Sequence, residues 1–153
     1  MEQQSATEYD RMLDELQREV AERERAVYSD VVLREAHNPQ NMGRMRDADL
    51  QGVVHGWCGD TMEIFIRLNA ERIEEATFIT DGCGATLACG SMLTRMITGM
   101  RPEEAEWVLP EDLIKALDGL PEEHLHCAGL AVSTLQNALF NWRVAQAEQQ
   151  EAD

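Results

Sequence analysis

The stretch T-M-E-I-F-I-R-L, residues 61–68, decides the fold. Apolar side chains stand at every second position, namely Met62, Ile64, Ile66 and Leu68. Thr61, Glu63, Phe65 and Arg67 alternate with them, and this period of two is typical of a strand with one buried face. The stretch therefore predicts a half-buried central strand.

Two further apolar segments flank this strand. Val53-Val54 precedes it and residues 76–79, A-T-F-I, follow it. The connections are short, including N-A-E-R at 69–72, and such connections favour antiparallel neighbours. The pattern predicts a three-stranded antiparallel meander.

Helical patterns follow the strands. Apolar spacing predicts a helix over 85–98 that Gly99 ends, and Pro102 and Pro110 suit the first position of two short helices. A last helix is predicted over 127–147, followed by a polar tail at 148–153 that frays. Strands followed by helices predict an α+β domain with helices on one side of the sheet.

The N-terminal residues predict a helix that is added to the domain. Residues 5–27 carry apolar positions three or four apart, with Ser5 or Thr7 as the cap. A second helix is predicted from residue 28 to about 37, because a proline follows at 39 and disfavours helix in the residue before it. We therefore divide the chain into a helical arm (1–27), a domain (28–147) and the tail. A solvated arm and an arm that packs on the domain or a partner both remain open.

Composition limits the function classes. The 153 residues suffice for one domain with a real core, and the formal net charge is −16. This charge excludes nucleic acid and an anionic membrane surface as partners, and favours partners with basic patches. No long apolar run exists and the first residues lack the pattern of a signal peptide, so we expect a cytoplasmic protein.

The four cysteines are Cys58, Cys83, Cys89 and Cys127. In a reducing compartment, thiols serve metals or chemistry more often than disulfides, although four buried, inert cysteines are the alternative. Cys58, Cys83 and Cys127 fall at predicted element boundaries, which speaks against the inert reading. Because no C-x-x-C pair exists, only the tertiary structure could assemble a shared site.

The surroundings of these three cysteines suit metal ligands. Cys58 and Asp60 lie two apart at a strand entry and so share a face, while Cys83 and Cys127 each open a helix, whose N-terminus favours thiolate. His126 directly precedes Cys127. Thiolates with an imidazole suit zinc or an iron-sulfur cluster rather than calcium or magnesium.

Four blocks in order carry a family resemblance. They are Y-S-D-V-V-L-R-E-A-H-N-P-Q-N-M-G at 28–43, C-G-D-T-M at 58–62, G-C-G-A-T-L-A at 82–88 and L-H-C-A-G-L-A at 125–131. Over about residues 28–140 the chain resembles the iron-sulfur cluster assembly scaffolds of the IscU type, also found as the N-terminal domain of NifU.

The resemblance implies a non-enzymatic scaffold that builds a transient [2Fe-2S] cluster and passes it to apo iron-sulfur proteins. It implies that iron and cluster are held by Cys58, Asp60, Cys83, His126 and Cys127. It also implies a cysteine desulfurase as sulfur source and Cys127 as the persulfide acceptor. Scaffolds of this fold also take up zinc, so the metal at the site at rest stays open. Whether Asp60 or His126 completes the cluster site, and whether the chain forms oligomers, stay open.

The chain also departs from the family pattern. L-P-E-E-H at 120–124 replaces the L-P-P-V-K that a specialised Hsp70-type chaperone recognises, so the resemblance does not carry the chaperone contact onto this chain. The lysine of that segment is lost as well. Trp57 stands where a small residue is common, and Cys89 is an extra thiol that we expect to pack as a small buried side chain.

Three other functions remain as alternatives. SufU-type sulfurtransferases are zinc proteins of this fold, but they usually carry an insertion ahead of the third cysteine and lack the preceding histidine. A structural zinc site could close around the same residues in a protein that only binds partners. A thiol enzyme with Cys127 and His126 is the weakest alternative, because no third group orients the pair.

Overall fold

A computed structural model describes residues 7–152 of the chain. Its elements in chain order are α1 (Glu8–Val27), α2 (Asp30–His37), β1 (Leu50–His55), β2 (Thr61–Asn69), β3 (Arg72–Thr80), α3 (Gly84–Ile97), α4 (Pro102–Ala105), α5 (Pro110–Ala116) and α6 (Leu125–Ala152). A 3₁₀ turn at Glu122–His124 leads directly into α6. The predicted α+β class, with a three-stranded antiparallel sheet and an N-terminal helix, is confirmed.

The strands form the predicted meander in the order β1-β2-β3. In the register, Ile64 of the central strand lies opposite Gly52 of β1 and Phe78 of β3. Ala70 and Glu71 close the second hairpin with φ angles of 51° and 66°. Positive φ at both central residues is the backbone of a type I′ turn, whose twist matches that of the strands it joins.

One face of the sheet packs against the helices, and two glycines allow the close approach. A Cβ atom on Gly52 would lie 2.5 Å from the backbone nitrogen of Ala138 in α6. A Cβ atom on Gly90 in α3 would lie 2.4 Å from the ring of Phe78. The alternating side chains Met62, Ile64 and Ile66 are fully buried beneath these helices.

The opposite face is crossed by the loop of residues 43–49. Its ends are fixed at both sides of the sheet, because Gly43 N donates to Phe78 O of β3 and Asp49 N donates to Ile66 O of β2. Phe65, predicted on the less buried side of the strand, is only 3% exposed. The outer face of the central strand is therefore covered at Phe65 as well, whereas Val53 of β1 stays exposed.

Ion pairs hold this loop to the outer face of β2. Arg44 reaches Glu63 at 3.2 Å, and Asp47 reaches Arg67 at 3.2 Å. Both partners in the strand belong to the polar half of the alternating pattern. The polar positions of the strand thus fix the loop instead of facing open solvent.

Both outer edges of the sheet have hydrogen-bond partners. On β3, the backbone of Phe78 donates to Asn41 O at 2.9 Å as well as accepting from Gly43. On β1, Val53 N donates to Asn137 Oδ1 at 3.0 Å and Gln51 O accepts from Asn141 Nδ2 at 3.1 Å. The two asparagines come from α6, so this helix covers the edge as well as the face.

Thr7 caps the N-terminal helix, as predicted, because its hydroxyl accepts a hydrogen bond from Asp10 N at 3.1 Å. Ser5, the other predicted cap, lies outside the described residues. No side chain of α1, whose residues are all described, is buried. A contact of 3.1 Å between Glu24 and His37 joins α1 to α2, and the boundary between arm and domain stays a prediction.

The prediction that the last helix ends at Ala147 is wrong, whereas fraying of the tail from 148 stays a prediction. Helix α6 continues to Ala152, five residues beyond the predicted end at Ala147. The segment A-E-Q-Q-E-A consists of good helix formers and holds neither glycine nor proline, so nothing in it ends the helix. Asp153 lies outside the described residues.

The fold gathers three chain segments at one end of the sheet. The turn of residues 56–60 precedes β2, and residues 81–83 follow β3, which runs antiparallel to it. Thr61 N donates to Asp81 Oδ1 at 2.7 Å and ties the two segments together. The N-terminal part of α6 joins them, since a Cβ atom on Gly56 would lie 3.5 Å from Leu130 Cδ1.

Candidate metal centre

Cys58 and Asp60 stand on a tight turn before the central strand. Gly56 N donates to Asp60 O at 2.7 Å, and Gly59 has a φ of 93° that favours glycine. Cys58 is exposed and Asp60 is half-buried. The glycine between them lets the turn carry both side chains to the end of the sheet.

Cys83 occupies the N-cap of α3. Its thiol lies at the positive end of the helix dipole, where the backbone N–H groups of Ala85 and Thr86 and the Thr86 hydroxyl favour the thiolate. The preceding Gly82 is required by a close approach, since a Cβ atom there would lie 2.7 Å from the side chain of Thr86. Helix α3 thus presents Cys83 and Thr86 together to the site.

Cys127 lies in the first turn of α6 and is fully buried, in contrast to Cys58 and Cys83. His126 Nε2 is 3.7 Å from the Cys127 sulfur. The ring of His126 packs on that of Trp57 with centroids 5.3 Å apart. Trp57, which we singled out from the sequence, therefore shields one side of the histidine.

The hydroxyl of Thr86 connects three of the predicted site residues. Thr86 Oγ1 is 3.4 Å from Cys127 Sγ, 3.3 Å from Asp60 Oδ2 and 3.6 Å from Cys83 Sγ. A hydroxyl carries a single hydrogen, so Thr86 donates to one of these groups at a time. It holds the carboxylate and the two sulfurs around one point.

A group of three potential metal ligands forms around the two helix starts. One ligand atom from each of Cys83, His124 and Cys127 lies within 4.8 Å of the other two. Cys58, predicted as a ligand, is not in this group of described residues. Cys58 lines a pocket together with Trp57, His126 and Leu130.

The two grouped thiols differ in acidity. Burial disfavours the thiolate of Cys83, but hydrogen bonds from the backbone and side chain of Thr86 and from the backbone of Ala85 outweigh it and lower the pKa. For Cys127, burial dominates and raises the pKa to about 11, although the Thr86 hydroxyl opposes this and Cys83 adds to it. In the metal-free protein Cys83 is thus the readier thiolate.

His124 and Tyr28 are the residues near the site that the sequence analysis missed. Tyr28 Oη lies 3.0 Å from His124 Nε2, and the two rings lie 5.6 Å apart. Burial and the neighbouring thiolates of Cys83 and Cys127 raise the pKa of Tyr28. His124 stands where the family segment L-P-P-V-K has its lysine, and that alignment was the signal that could have identified it.

Cys89 lies away from this chemistry. Its side chain is fully buried in the hydrophobic core, and burial raises the pKa of its thiol far above the usual range. This placement favours the packing role predicted from the sequence. The extra thiol is unsuited to reaction in the folded protein.

The comparisons with known proteins identify the class. The sequence profile of the NifU-like N-terminal domain matches residues 27–149, and the chain belongs to this family. The resemblance stated from the four sequence blocks is thereby confirmed. The helices found in the described residues are too short or too polar to cross a membrane.

Relatives from several organisms are named as IscU scaffold proteins or as NifU. The chain is 40% identical over 117 residues to iron-sulfur cluster assembly scaffold protein IscU 1 of Archaeoglobus fulgidus, covering 76% of each chain. It is 36% identical over 128 residues to the IscU scaffold protein of Aquifex aeolicus, covering 82% of each. It is also 34% identical to the nitrogen fixation protein NifU of Trichormus azollae, of which it covers 42%.

Solved structures share the fold. The N-terminal part of a NifU-like protein from Brucella abortus superposes with a TM-score of 0.61 at 15% identity, covering 76% of this chain and 94% of that one. A SUF-system protein from Fervidobacterium islandicum superposes with a TM-score of 0.59 at 18% identity, covering 73% and 96%. At these identities the likeness concerns the fold alone.

Proposed function

We propose that this protein is a non-enzymatic scaffold for iron-sulfur cluster assembly. It binds iron, accepts sulfur from a cysteine desulfurase, builds a transient [2Fe-2S] cluster and passes it to apoproteins. The observation that carries the proposal is the meeting of Cys83, Cys127 and Asp60 around the Thr86 hydroxyl. Membership of the NifU-like family and the names of the IscU relatives support it.

The donor set fits a cluster that is cargo rather than a resident cofactor. Cys58, Cys83 and Cys127 supply soft thiolates, and Asp60 or His126 supplies a harder fourth ligand. Thiolates hold iron-sulfur clusters firmly, whereas a carboxylate or imidazole is a weaker partner for the same iron. Because one ligand is weak, a thiolate of the acceptor protein can displace it, and the cluster then leaves the scaffold.

Sulfur delivery is a thiolate exchange. The Cys127 thiolate attacks the outer sulfur of the desulfurase persulfide, a new S–S bond forms on Cys127, and the desulfurase thiolate leaves. The transferred sulfur then needs two electrons to become sulfide, which an external reductant such as a ferredoxin supplies. Because Cys127 is fully buried, the first turn of α6 must open before the attack.

The exposed cysteines Cys58 and Cys83 offer competing acceptors. Both are accessible, and Cys83 has the lowered pKa. Mass spectrometry after incubation with the desulfurase and cysteine locates the first persulfide. The proposal expects it on Cys127 once the desulfurase is bound, and a persulfide confined to Cys58 or Cys83 would contradict that assignment.

The function is tested by anaerobic reconstitution with ferrous iron, cysteine, a cysteine desulfurase and a chemical reductant that supplies the two electrons for each sulfide. We expect a visible cluster spectrum and transfer to apo-ferredoxin, both lost in Cys58→Ser, Cys83→Ser and Cys127→Ser. Cys89→Ser is the matched control, because this thiol lies in the core outside the site. A wild-type protein that forms no cluster and transfers none would contradict the proposal.

A second candidate function is a zinc-dependent sulfur relay of the SufU kind. The grouping of two sulfurs with one imidazole nitrogen favours it, since zinc prefers this donor set. In that case the protein keeps its zinc during turnover and accepts persulfide without building a cluster. Iron and sulfide analysis after reconstitution separates the two functions.

A further inference from the structure

An orphaned nitrogen marks His124 as unusual. Among the described residues, its Nδ1 atom is buried and has no hydrogen-bond partner. An unsatisfied buried polar atom costs about 1–3 kcal/mol, so such atoms are rare without a reason. A ligand that takes up the lone pair of Nδ1 is one such reason.

The other ring nitrogen is already fixed. His124 Nε2 pairs with Tyr28 Oη at 3.0 Å, and Tyr28 is itself held by its backbone, which donates to Glu24 O at 2.8 Å. If Nε2 carries the proton and donates to the tyrosine oxygen, Nδ1 is left with a free lone pair. Metal-bound histidines show this arrangement, with the second nitrogen held by an outer partner.

Two sulfurs stand where the remaining ligands of such a metal would be. A ring nitrogen of His124 and the sulfurs of Cys83 and Cys127 lie within 4.8 Å of one another. In a tetrahedral zinc site, with ligands at about 2.0–2.3 Å from the metal, neighbouring ligand atoms are about 3.3–3.8 Å apart. A small inward movement of the three side chains would therefore complete three corners.

We propose that Cys83, Cys127 and His124 Nδ1 bind one divalent cation of the zinc or ferrous class, with Tyr28 positioning the imidazole. The fourth corner is open to Asp60, which the Thr86 hydroxyl holds beside the two sulfurs. His124 therefore belongs to the site in place of the lysine that the family segment carries. Imidazole is a neutral ligand, whereas a lysine ammonium has no lone pair to offer.

In the proposed function, the site holds this ion before sulfur arrives. The role of the ion therefore rests on the proposed function, whereas the measurement of its affinity does not. Zinc affinity is determined without desulfurase or sulfide. Loss of cluster assembly with intact His124-dependent zinc binding would overturn the proposed function alone. Cluster assembly with zinc binding independent of His124 would overturn this inference alone.

The test measures the zinc affinity of the metal-free protein by competition with a chromophoric chelator. We expect His124→Ala to weaken zinc binding by on the order of 100-fold and Tyr28→Phe by about 10-fold. His124→Lys, which restores the family residue, should not recover the affinity. His37→Ala is the matched control, because His37 is an exposed histidine paired with Glu24, and it should bind as the wild type does.

Cobalt substitution gives a second readout. We expect the wild type to show the absorption of tetrahedral cobalt with thiolate ligands, and His124→Ala to change the ligand-field bands while keeping the thiolate bands. Circular dichroism and melting of the metal-free variants separate folding defects from ligand loss. Wild-type zinc affinity and an unchanged cobalt spectrum in a folded His124→Ala variant would overturn the inference.

Discussion

The hydroxyl of Thr86 lies 3.4 Å from the buried sulfur of Cys127. The same oxygen lies 3.3 Å from Asp60, so one side chain of α3 joins a residue before the central strand to a residue at the start of the last helix. Asp60 and Cys127 are far apart in sequence. Their meeting depends on how α3 and α6 pack on the same face of the sheet.

The first prediction concerns this hydroxyl. Thr86→Val keeps the shape and removes the hydrogen bonds that favour both thiolates, so the pKa values of Cys83 and Cys127 should rise. The pH dependence of thiol alkylation measures them in the metal-free protein. Thr86→Ser, which keeps the hydroxyl, is the control, and unchanged alkylation profiles in Thr86→Val would refute the prediction.

The second prediction concerns the order in which the thiols react. Cys58 and Cys83 are exposed, whereas Cys127 and Cys89 are both buried in the core. The sulfur of Cys127 lies within 4.8 Å of the sulfur of the exposed Cys83, and Cys89 is not in that group of ligands. We expect an alkylating reagent to modify the two exposed thiols rapidly, Cys127 slowly and Cys89 only after unfolding. Timed mass spectrometry measures the order, and early modification of Cys127 would show that the α6 start is open in solution.

The third prediction concerns alkaline pH. The pKa of Cys127 is about 11 in the folded protein against a reference value of 9.0, so the folded state binds more protons between these values. Stability contributed by this thiol is therefore complete below pH 9 and is lost as pH rises through 11, with about 2 kcal/mol lost by pH 11.

Urea unfolding of the metal-free wild type and of Cys127→Ala from pH 8 to about 10.5 tests the third prediction. The difference in the free energy of unfolding between the two proteins should narrow as pH rises, because the alanine variant lacks this proton. A difference that stays constant across the range would mean that the folded and unfolded thiols titrate alike.

The fourth prediction concerns the contact between sheet and helix. Gly52→Ala would place its Cβ 2.5 Å from Ala138 N and 2.6 Å from Thr134 O, both backbone atoms of α6. We expect a loss of about 1–3 kcal/mol or more in the free energy of unfolding, because backbone cannot move aside as a side chain can. Chemical denaturation of the metal-free protein measures it.

Gly129→Ala is the matched control for this prediction. It lies in α6, where a Cβ atom would meet nothing within 4 Å. Alanine is the better helix former by roughly 0.5–1 kcal/mol, so this variant should be as stable as the wild type or more so. Equal losses in the two variants would show that the α6 contact at Gly52 is not what limits substitution there.

Much of the fold could be predicted from local signals. The alternation in residues 61–68 marked β2, and the short connection at 69–72 marked the hairpin, because both depend on neighbours in sequence. The burial of Phe65 could not be predicted this way. Phe65 stands between Glu63 and Arg67, and these two residues form ion pairs with the loop of residues 43–49, which comes from a distant part of the chain.

In the site, too, some features could be predicted from local sequence and others depend on distant contacts. Motifs drew attention to Cys83 and Cys127, and the structure groups their sulfurs. His124 and Tyr28 lie in segments that the sequence analysis quoted, but their pairing escaped it, because it joins residues 96 positions apart. Only the packing of the 3₁₀ turn before α6 against the end of α1 brings them together.

The hydrogen bonds at both edges of the sheet have a consequence for association. Exposed strand edges invite pairing with other chains, and here the backbone of residues 41–43 and the amides of Asn137 and Asn141 already use groups on the outer strands. A three-stranded sheet protected on both sides is a poor template for strand addition. The protein can therefore bind a partner at the end of the sheet that carries the site without exposing free strand edges that would favour aggregation.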